Sequence, residues 1–289
     1  MPSTGPHIPK DVLERLLALS IMKGVRSVAL SDSFDAIRLK IISHGMGIDD
    51  CPVGGPLRDG AQLTLLQIAA QTGDIPLAYD VIRLGASLDM KNSRGSTALH
   101  IAYEEYSRYQ QACRISSNTV QSASDALSEC LRCREIARVL VEQHATIDVV
   151  ADDDPLKETV LHAACMLRDW DFIQLLIHHG AREKPNVNGM LPSHHLTPKE
   201  KRRLEDIIST APTVRPPRIC PCWSGEILSE CHAREPKPFP SEFLCRCRSG
   251  RSYKRCCKAR NIRRVEFWNA ADEWIAPMDS LELPVHLPA

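Results

Sequence analysis

Hydrophobic residues recur at helical spacing through the first two thirds of the chain, in segments separated by glycine, proline and polar turns. Apolar side chains three and four positions apart predict helices over residues 10–24 and 33–43. Pro9 suits the start of the first helix, and Gly45 suits the left-handed position after the second. Residues 46–62 are rich in glycine, proline and aspartate and predict a loop.

A period then begins in which Thr64, Thr97 and Thr159 each open a similar stretch. The stretches read Thr-Leu-Leu-Gln-Ile-Ala-Ala, Thr-Ala-Leu-His-Ile-Ala-Tyr and Thr-Val-Leu-His-Ala-Ala-Cys, and the spacings are 33 and 62 residues. A threonine hydroxyl can satisfy open amides at a helix start, and the alanines allow close packing. The second apolar segments that follow span residues 75–84, 135–143 and 172–179.

This pattern resembles the ankyrin repeat, which has a period of about 33 residues and a Thr-Pro-Leu-His opening. The proline is replaced in all three openings, by Leu65, Ala98 and Val160. The resemblance implies a mainly α solenoid of stacked helix pairs with an extended surface that binds proteins. Residues 33–49 resemble the second half of a degenerate first repeat.

The turns after the second helices predict left-handed backbone. Gly85 and Gly180 suit that conformation, whereas His144 stands where glycine is expected and must adopt it at some cost. Residues 188–195 resemble one more opening. With the charged helix predicted over residues 198–208, they predict a closing cap with a polar outer face.

The long second spacing indicates an insertion near residues 104–132. Residues 114–125 have the composition of a loop, although three tyrosines before them are compatible with a longer first helix. The insertion is either a passive surface loop or part of a binding face. Cys130-x-x-Cys133 at its exit is more typical of a buried structural pair than of a metal or redox site. We expect the repeat histidines to form hydrogen bonds; they are His100, His162, His194 and His195.

One cysteine-rich unit is written twice in the C-terminal third, with every position of the second copy 25 residues after the first. Each copy is Cys-x-Cys, eight residues and an adjacent Cys-His or Cys-Cys pair. The candidate ligands are Cys220, Cys222, Cys231 and His232, then Cys245, Cys247, Cys256 and Cys257. Four thiolates or imidazoles match a closed, structural zinc site. We therefore predict two structural Zn²⁺ ions, in independent or interleaved sites, in preference to disulfides or inert thiols.

The two copies resemble the SEC-C motif, the zinc-binding tail of the bacterial SecA translocase ATPase. The motif is close to Cys-Pro-Cys-Gly-Ser-Gly-Lys-Lys-Tyr-Lys-Lys-Cys-Cys, with Cys-His as an accepted ending. Ser224, Gly225 and Tyr253 fit it, whereas Trp223 and Arg248 stand where its first glycine is expected. A positive φ there would strain both copies. The resemblance implies a small docking module for partner proteins.

Four segments describe the predicted organisation. Residues 1–59 hold the N-terminal helices and the degenerate repeat, and residues 60–211 hold the repeats and cap. Residues 212–257 form the zinc module, with little regular structure, after an extended linker over residues 209–218. Within residues 258–289, an amphipathic helix is predicted over residues 258–275, packed on the solenoid or zinc module, and a loose tail over residues 281–289.

Charge is distributed unevenly although the net charge is zero. Residues 212–264 contain thirteen Lys/Arg and four Asp/Glu, a net +9 that leaves −9 elsewhere. Two zinc–thiolate sites would reduce the module to about +6. No apolar run could span a bilayer and no signal peptide is evident. We therefore expect a reducing compartment, cytoplasmic or nuclear, and no membrane partner.

No phosphate loop, zincin helix, nucleophile elbow or kinase signature is present. We therefore expect a non-catalytic adaptor, with protein partners for the repeats and for the zinc module. Nucleic-acid binding by the basic module is the second hypothesis, with Tyr253 and Trp223 as stacking candidates. Its phosphate-binding candidates are Arg246, Arg248, Arg251, Lys254, Arg255, Lys258 and Arg260. A ubiquitin-ligase or GTPase-activating module fits poorly, because such modules use Cys-x-x-Cys pairs.

Overall fold

The structure is a computed structural model that describes residues 6–44, 47–50, 62–115, 120–152, 154–247 and 249–281. About half of the chain is helical, and a small antiparallel sheet lies near the C-terminus. The helices of the described residues are α1 (Lys10–Ala18), α2 (Asp32–His44), α3 (Leu65–Thr72), α4 (Ile75–Arg83), α5 (Ala98–Ile115), α6 (Val120–Glu142), α7 (Val160–Leu167), α8 (Trp170–His178) and α9 (Pro198–Thr210). The strands are β1 (Lys237–Pro238), β2 (Ile262–Asn269) and β3 (Trp274–Leu281).

The predicted helix pairs are present as α3 with α4, α5 with α6 and α7 with α8. Their threonine openings act as the sequence predicts. The Thr64 hydroxyl accepts a hydrogen bond from the Gln67 backbone amide at 3.3 Å, and the Gln67 side-chain oxygen Oε1 accepts one from the Thr64 backbone amide at 3.0 Å. This reciprocal capping box satisfies amides that have no partner inside the helix.

The turns after the second helices are left-handed, as predicted. The φ angles are 95° at Gly85, 102° at Gly180 and 72° at His144, which accepts the conformation despite its Cβ. Two of the second helices begin at an aspartate: Asp74 accepts from Leu77 N at 3.0 Å, and Asp169 accepts from Phe172 N at 3.2 Å. The sequence pattern predicts these helices but not their aspartate caps, although aspartate is a preferred residue at the position before a helix.

The insertion lengthens two helices, so the loop expected over residues 114–125 is wrong for the part that the structure describes. α5 continues to Ile115 and α6 begins at Val120; residues 116–119 lie outside the described residues. Helix propagation is cooperative once a packed segment exists. Buried side chains earlier in α5 and later in α6, including Tyr103 and Cys130, provide that packing.

The N-terminal segments cover the first complete repeat. The predicted helix over residues 10–24 ends at Ala18 and continues as a 3₁₀ turn, Ser20–Met22. The buried carboxylate of Asp80 accepts from Arg38 Nε at 2.8 Å and from the His7 backbone amide. The predicted Gly45 cap, most of the loop over residues 46–62 and the tail after Leu281 lie outside the described residues.

The amphipathic helix predicted over residues 258–275 is wrong: a β-hairpin, β2 and β3, occupies this segment after a 3₁₀ turn, Lys258–Arg260. The register pairs Val265 with Met278, and β1 adds to β2 at Glu266 and Val265. β-Branched and aromatic residues favour strands. The sequence does not show a clear strand alternation, because two residues on the inward face of β2 are charged, Arg264 and Glu266.

The hairpin packs against the solenoid at Gly85, where a helix was expected to pack, and the first cysteine-rich unit packs there through Trp223. Ser209 and Thr210 complete α9, and the remaining linker follows the ends of α6 and α8. The hydrophobic core runs continuously from Ile8 through the repeats to Leu204 and includes Trp223 from the first cysteine-rich unit.

Candidate metal centres

The first cysteine-rich unit brings its four predicted ligands together. The ligand atoms of Cys220, Cys222, Cys231 and His232 all lie within 4.8 Å of one another. His232 Nδ1 lies 3.3 Å from the sulfur atoms of both Cys220 and Cys231. The whole group is buried, with none of the four residues more than 7% exposed.

The second unit forms an equivalent group. The sulfur atoms of Cys245, Cys247, Cys256 and Cys257 also lie within 4.8 Å of one another. Cys247 Sγ lies 3.5 Å from Cys245 Sγ and 3.1 Å from Cys256 Sγ. Cys247 is the only half-buried member, so this group is closer to solvent than the first.

Both groups could hold a metal ion. None of the seven cysteines among the candidate ligands forms a disulfide. Zn–S bonds of about 2.3 Å in a tetrahedron place two sulfur atoms about 3.8 Å apart. The sulfur–sulfur separations of 3.1–3.6 Å lie somewhat below that value and well above the roughly 2.05 Å of a disulfide. Each group draws its four ligands from one copy of the unit, as separate rather than interleaved sites require.

The backbone around the two groups is the same. A short antiparallel bridge closes each copy, and a 3₁₀ turn precedes each final ligand pair, Leu228–Glu230 and Tyr253–Arg255. The equivalent hydrogen bonds are Cys220 N to Glu226 O at 2.9 Å and Cys245 N to Arg251 O at 2.8 Å. Gly225 and Gly250 both have positive φ, at 87° and 64°. The sequence repeat is therefore also a structural repeat.

Each group contains one thiol with a depressed pKa. A hydrogen bond from Cys220 lowers the pKa of Cys222 to about 3. Burial raises the pKa of Cys247, but hydrogen bonds with Ser249 and Cys256 outweigh burial and lower it to about 6. Neighbouring polar groups thus stabilise a thiolate in each unit, and thiolate is the form that binds metal.

Trp223, between the ligands of the first unit, anchors that unit to the solenoid. Its φ of 65° shows that the glycine position of the motif does hold left-handed backbone here; Arg248, its counterpart, lies outside the described residues. The indole is 8% exposed, its ring centroid lies 4.3 Å from that of Tyr79, and its Nε1 donates to Tyr79 O at 3.1 Å. The strained residue therefore gives this unit a large contact with α4.

The linker and the hairpin extend this contact along the solenoid. Gln143 Nε2 donates to Ile219 O at 3.0 Å, and His144 Nε2 donates to Pro216 O at 2.8 Å. Gly85 lies against Trp274, where an added Cβ would come within 2.9 Å of the tryptophan Cβ. The linker, the first cysteine-rich unit and the hairpin therefore pack along the second helices of the repeats.

Three of the four repeat histidines form side-chain hydrogen bonds, as expected, whereas His195 Nε2 is buried without a hydrogen-bond partner among the described residues. His100 lies 2.9 Å from the Thr97 hydroxyl through Nδ1 and 2.7 Å from Val149 O through Nε2. His162 repeats this arrangement with Thr159 and Met190. At the cap, Leu191 N donates to His194 Nδ1 at 3.0 Å, while His195 Nε2 lies 3.8 Å from a Glu158 oxygen.

The Cys130–Cys133 pair is buried beside α5, as a structural role requires. Cys130 Sγ lies 3.8 Å from Tyr106 O. Burial raises the pKa of Cys133 to about 12, which leaves its thiol protonated and unreactive at neutral pH. The sequence interpretation of this pair is consistent with its surroundings.

The basic module has exposed cationic side chains, but its two predicted stacking residues, Tyr253 and Trp223, are buried. Tyr253 is 4% exposed, with its hydroxyl donating to Ile262 O at 2.8 Å, and Trp223 is buried on α4. Neither ring can stack on a base in this conformation. Arg246 is partly buried over the Trp274 ring, and Arg248 lies outside the described residues. The exposed predicted cations are Arg251, Lys254, Arg255, Lys258 and Arg260.

A groove of about 700 Å³ lies beside the lengthened α5. Its lining carries both signs of charge, including Arg94, Arg108, Glu105 and Glu158. α5 contributes several consecutive turns to one wall, so the insertion enlarges this surface.

None of the helices in the described part of the chain is both long and apolar enough to cross a membrane.

Two buried residues beside the candidate metal ligands are not predicted from the sequence. Glu266 Oε2 lies 3.9 Å from His232 Nε2, and Arg264 Nη1 lies 3.5 Å from Cys245 Sγ. Their spacing of two residues in a segment rich in β-branched and aromatic residues was the available signal. It was obscured because the segment was interpreted as a helix.

Comparison with known proteins identifies one of the repeats. The ankyrin repeat family model matches residues 157–189, which contain α7 and α8. An ankyrin repeat domain from Acinetobacter baumannii AYE is 18% identical, covering 69% of this chain and 89% of that one, with a TM-score of 0.37. A second solved ankyrin repeat protein is 17% identical, covering 61% and 90%, with a TM-score of 0.29. No curated protein matches the chain. The solenoid described above has an ankyrin-repeat fold, with a family-matched repeat at residues 157–189.

Proposed function

We propose that this protein is a non-catalytic interaction adaptor whose C-terminal module is held together by two structural zinc ions. The observation that supports it best is the pair of separate four-ligand groups, each assembled from one copy of the repeated unit. All four positions of each tetrahedron are taken by protein, so no site remains for a reactive water. The zinc ions stabilise the fold rather than catalyse a reaction.

The groove beside α5 is the proposed binding surface for one protein partner. Extended solenoid surfaces suit protein recognition, and the charged lining offers directional contacts to a polypeptide. The exposed ligand loop of the second unit, around Ser249 and Arg251, is the proposed docking surface for another. The first unit has less free surface because Trp223 is buried against α4.

Metal analysis of the full chain, purified under reducing conditions, tests the zinc assignment. We expect two zinc ions per chain, and one ion in each of the variants Cys231→Ser and Cys256→Ser. Loss of both ions from either variant would contradict independent sites, and a metal-free wild-type protein would overturn the proposal.

Groove substitutions test the partner surface. Ser107→Arg with Gln111→Arg places two bulky cations in the groove lining. A prey protein that is captured by the wild-type chain and by Lys201→Ala on α9, but lost with the groove variant, supports the adaptor assignment. Equal capture by all three proteins would exclude the groove as the binding surface.

Nucleic-acid binding is a second candidate, favoured by the exposed cations around Lys254 and Arg255. Phosphate contacts without base stacking predict a weak, sequence-independent and strongly salt-dependent affinity. Fluorescence anisotropy with single-stranded RNA at several salt concentrations tests this. The candidate requires binding that falls with salt and disappears in the double variant Lys254→Glu, Arg255→Glu.

A further inference from the structure

Strand β2 carries two buried, oppositely charged residues on one face. Arg264 is 4% exposed and Glu266 is 3% exposed, and their separation of two residues places both side chains on the same side of the strand. Burying a charge is unfavourable unless it is paired and hydrogen-bonded. Each of the two side chains lies beside one cysteine-rich group, Glu266 beside the first and Arg264 beside the second.

Glu266 faces the imidazole of the first group. Because His232 Nδ1 is the ring atom beside the two sulfur atoms, Nδ1 is the atom that would bind a metal. Nε2 is buried and has no hydrogen-bond partner in the described structure, and Glu266 Oε2 lies 3.9 Å away. An imidazole that binds metal through Nδ1 carries its proton on Nε2 and requires an acceptor there.

Arg83 of α4 holds the Glu266 carboxylate. Its Nη2 donates to Glu266 Oε2 at 2.6 Å, and both side chains are 4% exposed. The Arg83 guanidinium also lies over the Phe243 ring, 4.9 Å from its centroid. A residue of the solenoid therefore orients the carboxylate that faces a candidate ligand.

Arg264 has the corresponding position at the second group. Its Nη1 donates to Cys245 Sγ at 3.5 Å, and its Nη2 donates to Asp279 Oδ2 at 2.7 Å. Cys245 is fully buried, and four thiolates around Zn²⁺ carry a net charge of −2. A fixed guanidinium at this distance compensates part of that negative charge.

We propose that β2 is the shared outer shell of both metal centres, with Glu266 positioning the His232 imidazole and Arg264 compensating the cysteine-only centre. The charge of each residue matches the ligand beside it, an acid behind an imidazole and a cation behind a thiolate. This inference rests on the proposed zinc sites, and it assigns two positioning residues that neither cysteine-rich unit contains. Backbone contacts support it: Trp268 N donates to His232 O at 3.1 Å, and Arg264 N donates to the Tyr253 hydroxyl at 2.9 Å.

Single substitutions in the full chain test each assignment separately. In Glu266→Gln, one zinc ion is expected to bind about 10- to 100-fold more weakly, the usual range for loss of an outer-shell partner, and the other to be unchanged. Arg264→Gln is expected to weaken the other ion. Zinc transfer to a competing chromogenic chelator measures both affinities.

Cobalt substitution identifies which centre has changed. Imidazole and thiolate have different ligand-field strengths, so the Cys₃His and Cys₄ centres give distinct visible bands. We expect Glu266→Gln to alter the bands of the Cys₃His centre and Arg264→Gln those of the Cys₄ centre. Arg264→Lys keeps the cation and should restore part of the affinity, whereas a purely structural arginine would not be rescued in this way.

Glu242→Gln and Arg260→Gln are matched controls, because both residues are exposed on the same module. If Glu266→Gln weakened the binding of both zinc ions equally, or of neither, the inference would be overturned. Two zinc ions in the wild-type protein would still support the zinc assignment in that case. A wild-type protein without zinc would overturn both. If Glu266→Gln does not fold, Glu266→Asp retains the charge and is expected to give a smaller, still selective effect.

Discussion

The two cysteine-rich units share a backbone and differ in how they contact the rest of the chain. The first unit inserts Trp223, located between its ligands, into the core of the solenoid. The second unit contacts β2 at Cys245 and the N-terminal segment at Phe243, whose ring centroid lies 5.2 Å from that of His7. Ser249 and Gly250 in its ligand loop are exposed. The same local motif can thus be an internal packing element or a surface, depending on the side chain at one turn position.

Loss of a ligand should have the largest effect and should differ between the units. Cys231→Ser is expected to release one zinc ion and uncover Tyr79, whereas Cys256→Ser releases one ion and leaves Tyr79 covered. The free energy involved is about 10 kcal/mol or more for a structural zinc site. Hydrogen exchange of α4, followed by mass spectrometry, should increase only in Cys231→Ser. A similar increase in both variants would remove the distinction between the units.

Substitution of Trp223 tests the anchor itself. Trp223→Ala should lower the free energy of unfolding by about 3–5 kcal/mol, as for other buried aromatic residues. Trp223→Gly loses the same packing but relieves left-handed strain of about 1–2 kcal/mol, so it should be the more stable of the two variants. Urea denaturation followed by circular dichroism measures both values. Stability close to that of the wild type in Trp223→Ala would show that the indole is not an anchor.

Gly85 and Gly180 have similar positive φ angles, but only Gly85 contacts the hairpin. Substituting each by alanine therefore distinguishes the cost of backbone strain from the cost of colliding with the hairpin. Gly180→Ala meets no atom within 4 Å and should cost about 1–2 kcal/mol for its positive φ alone. Gly85→Ala carries the same cost and also collides with Trp274, which should add about 1–3 kcal/mol of overpacking. Denaturation midpoints of the two variants give the difference. Equal midpoints would mean that the hairpin moves away without cost.

The smallest expected effect is a change of folding stability with pH, caused by His179 where the linker contacts the end of α8. Burial, together with Arg215 and the neighbouring histidines His144 and His178, lowers the pKa of His179 to about 4. The unfolded chain binds this proton at a higher pH, so the stability contributed by neutral His179 is present above about pH 6.5 and is lost as the pH falls toward 4. Solvent access limits the loss to about 1 kcal/mol between pH 7 and pH 5.

Comparing His179→Gln with wild type, by urea denaturation at pH 7 and pH 5, isolates this contribution from acid release of metal. The variant should lose less stability on acidification than the wild-type chain. His194→Gln serves as the control, because His194 is exposed in the cap and is not among the groups that lower the pKa of His179. A wild-type pH dependence retained in His179→Gln would exclude the assignment.

Features set by neighbouring residues could be predicted from the sequence. A threonine three positions before Gln67 or His162 specifies a capped helix start, and Gly85 and Gly180 specify left-handed turns. The grouping of the eight ligands was also predictable, because each group closes within one short segment. Such features depend on local geometry and need no knowledge of distant parts of the chain.

Features set by distant contacts could not be predicted in the same way. Residues 258–275 have apolar side chains compatible with either a helix or a hairpin, and the choice depends on buried partners such as His232 and Cys245. The burial of Trp223 required knowing that α4 offers Tyr79 as a surface. The length of α5 and α6 likewise depends on their packing against each other.

The indole contact with Tyr79 also bears on the order of events during synthesis. Trp223 and Tyr79 are 144 positions apart in the chain. Translation therefore delivers α4 long before the residue that covers it, and the repeats must emerge from the ribosome with that surface bare. A chain that stopped after the cap would leave Tyr79 without this contact.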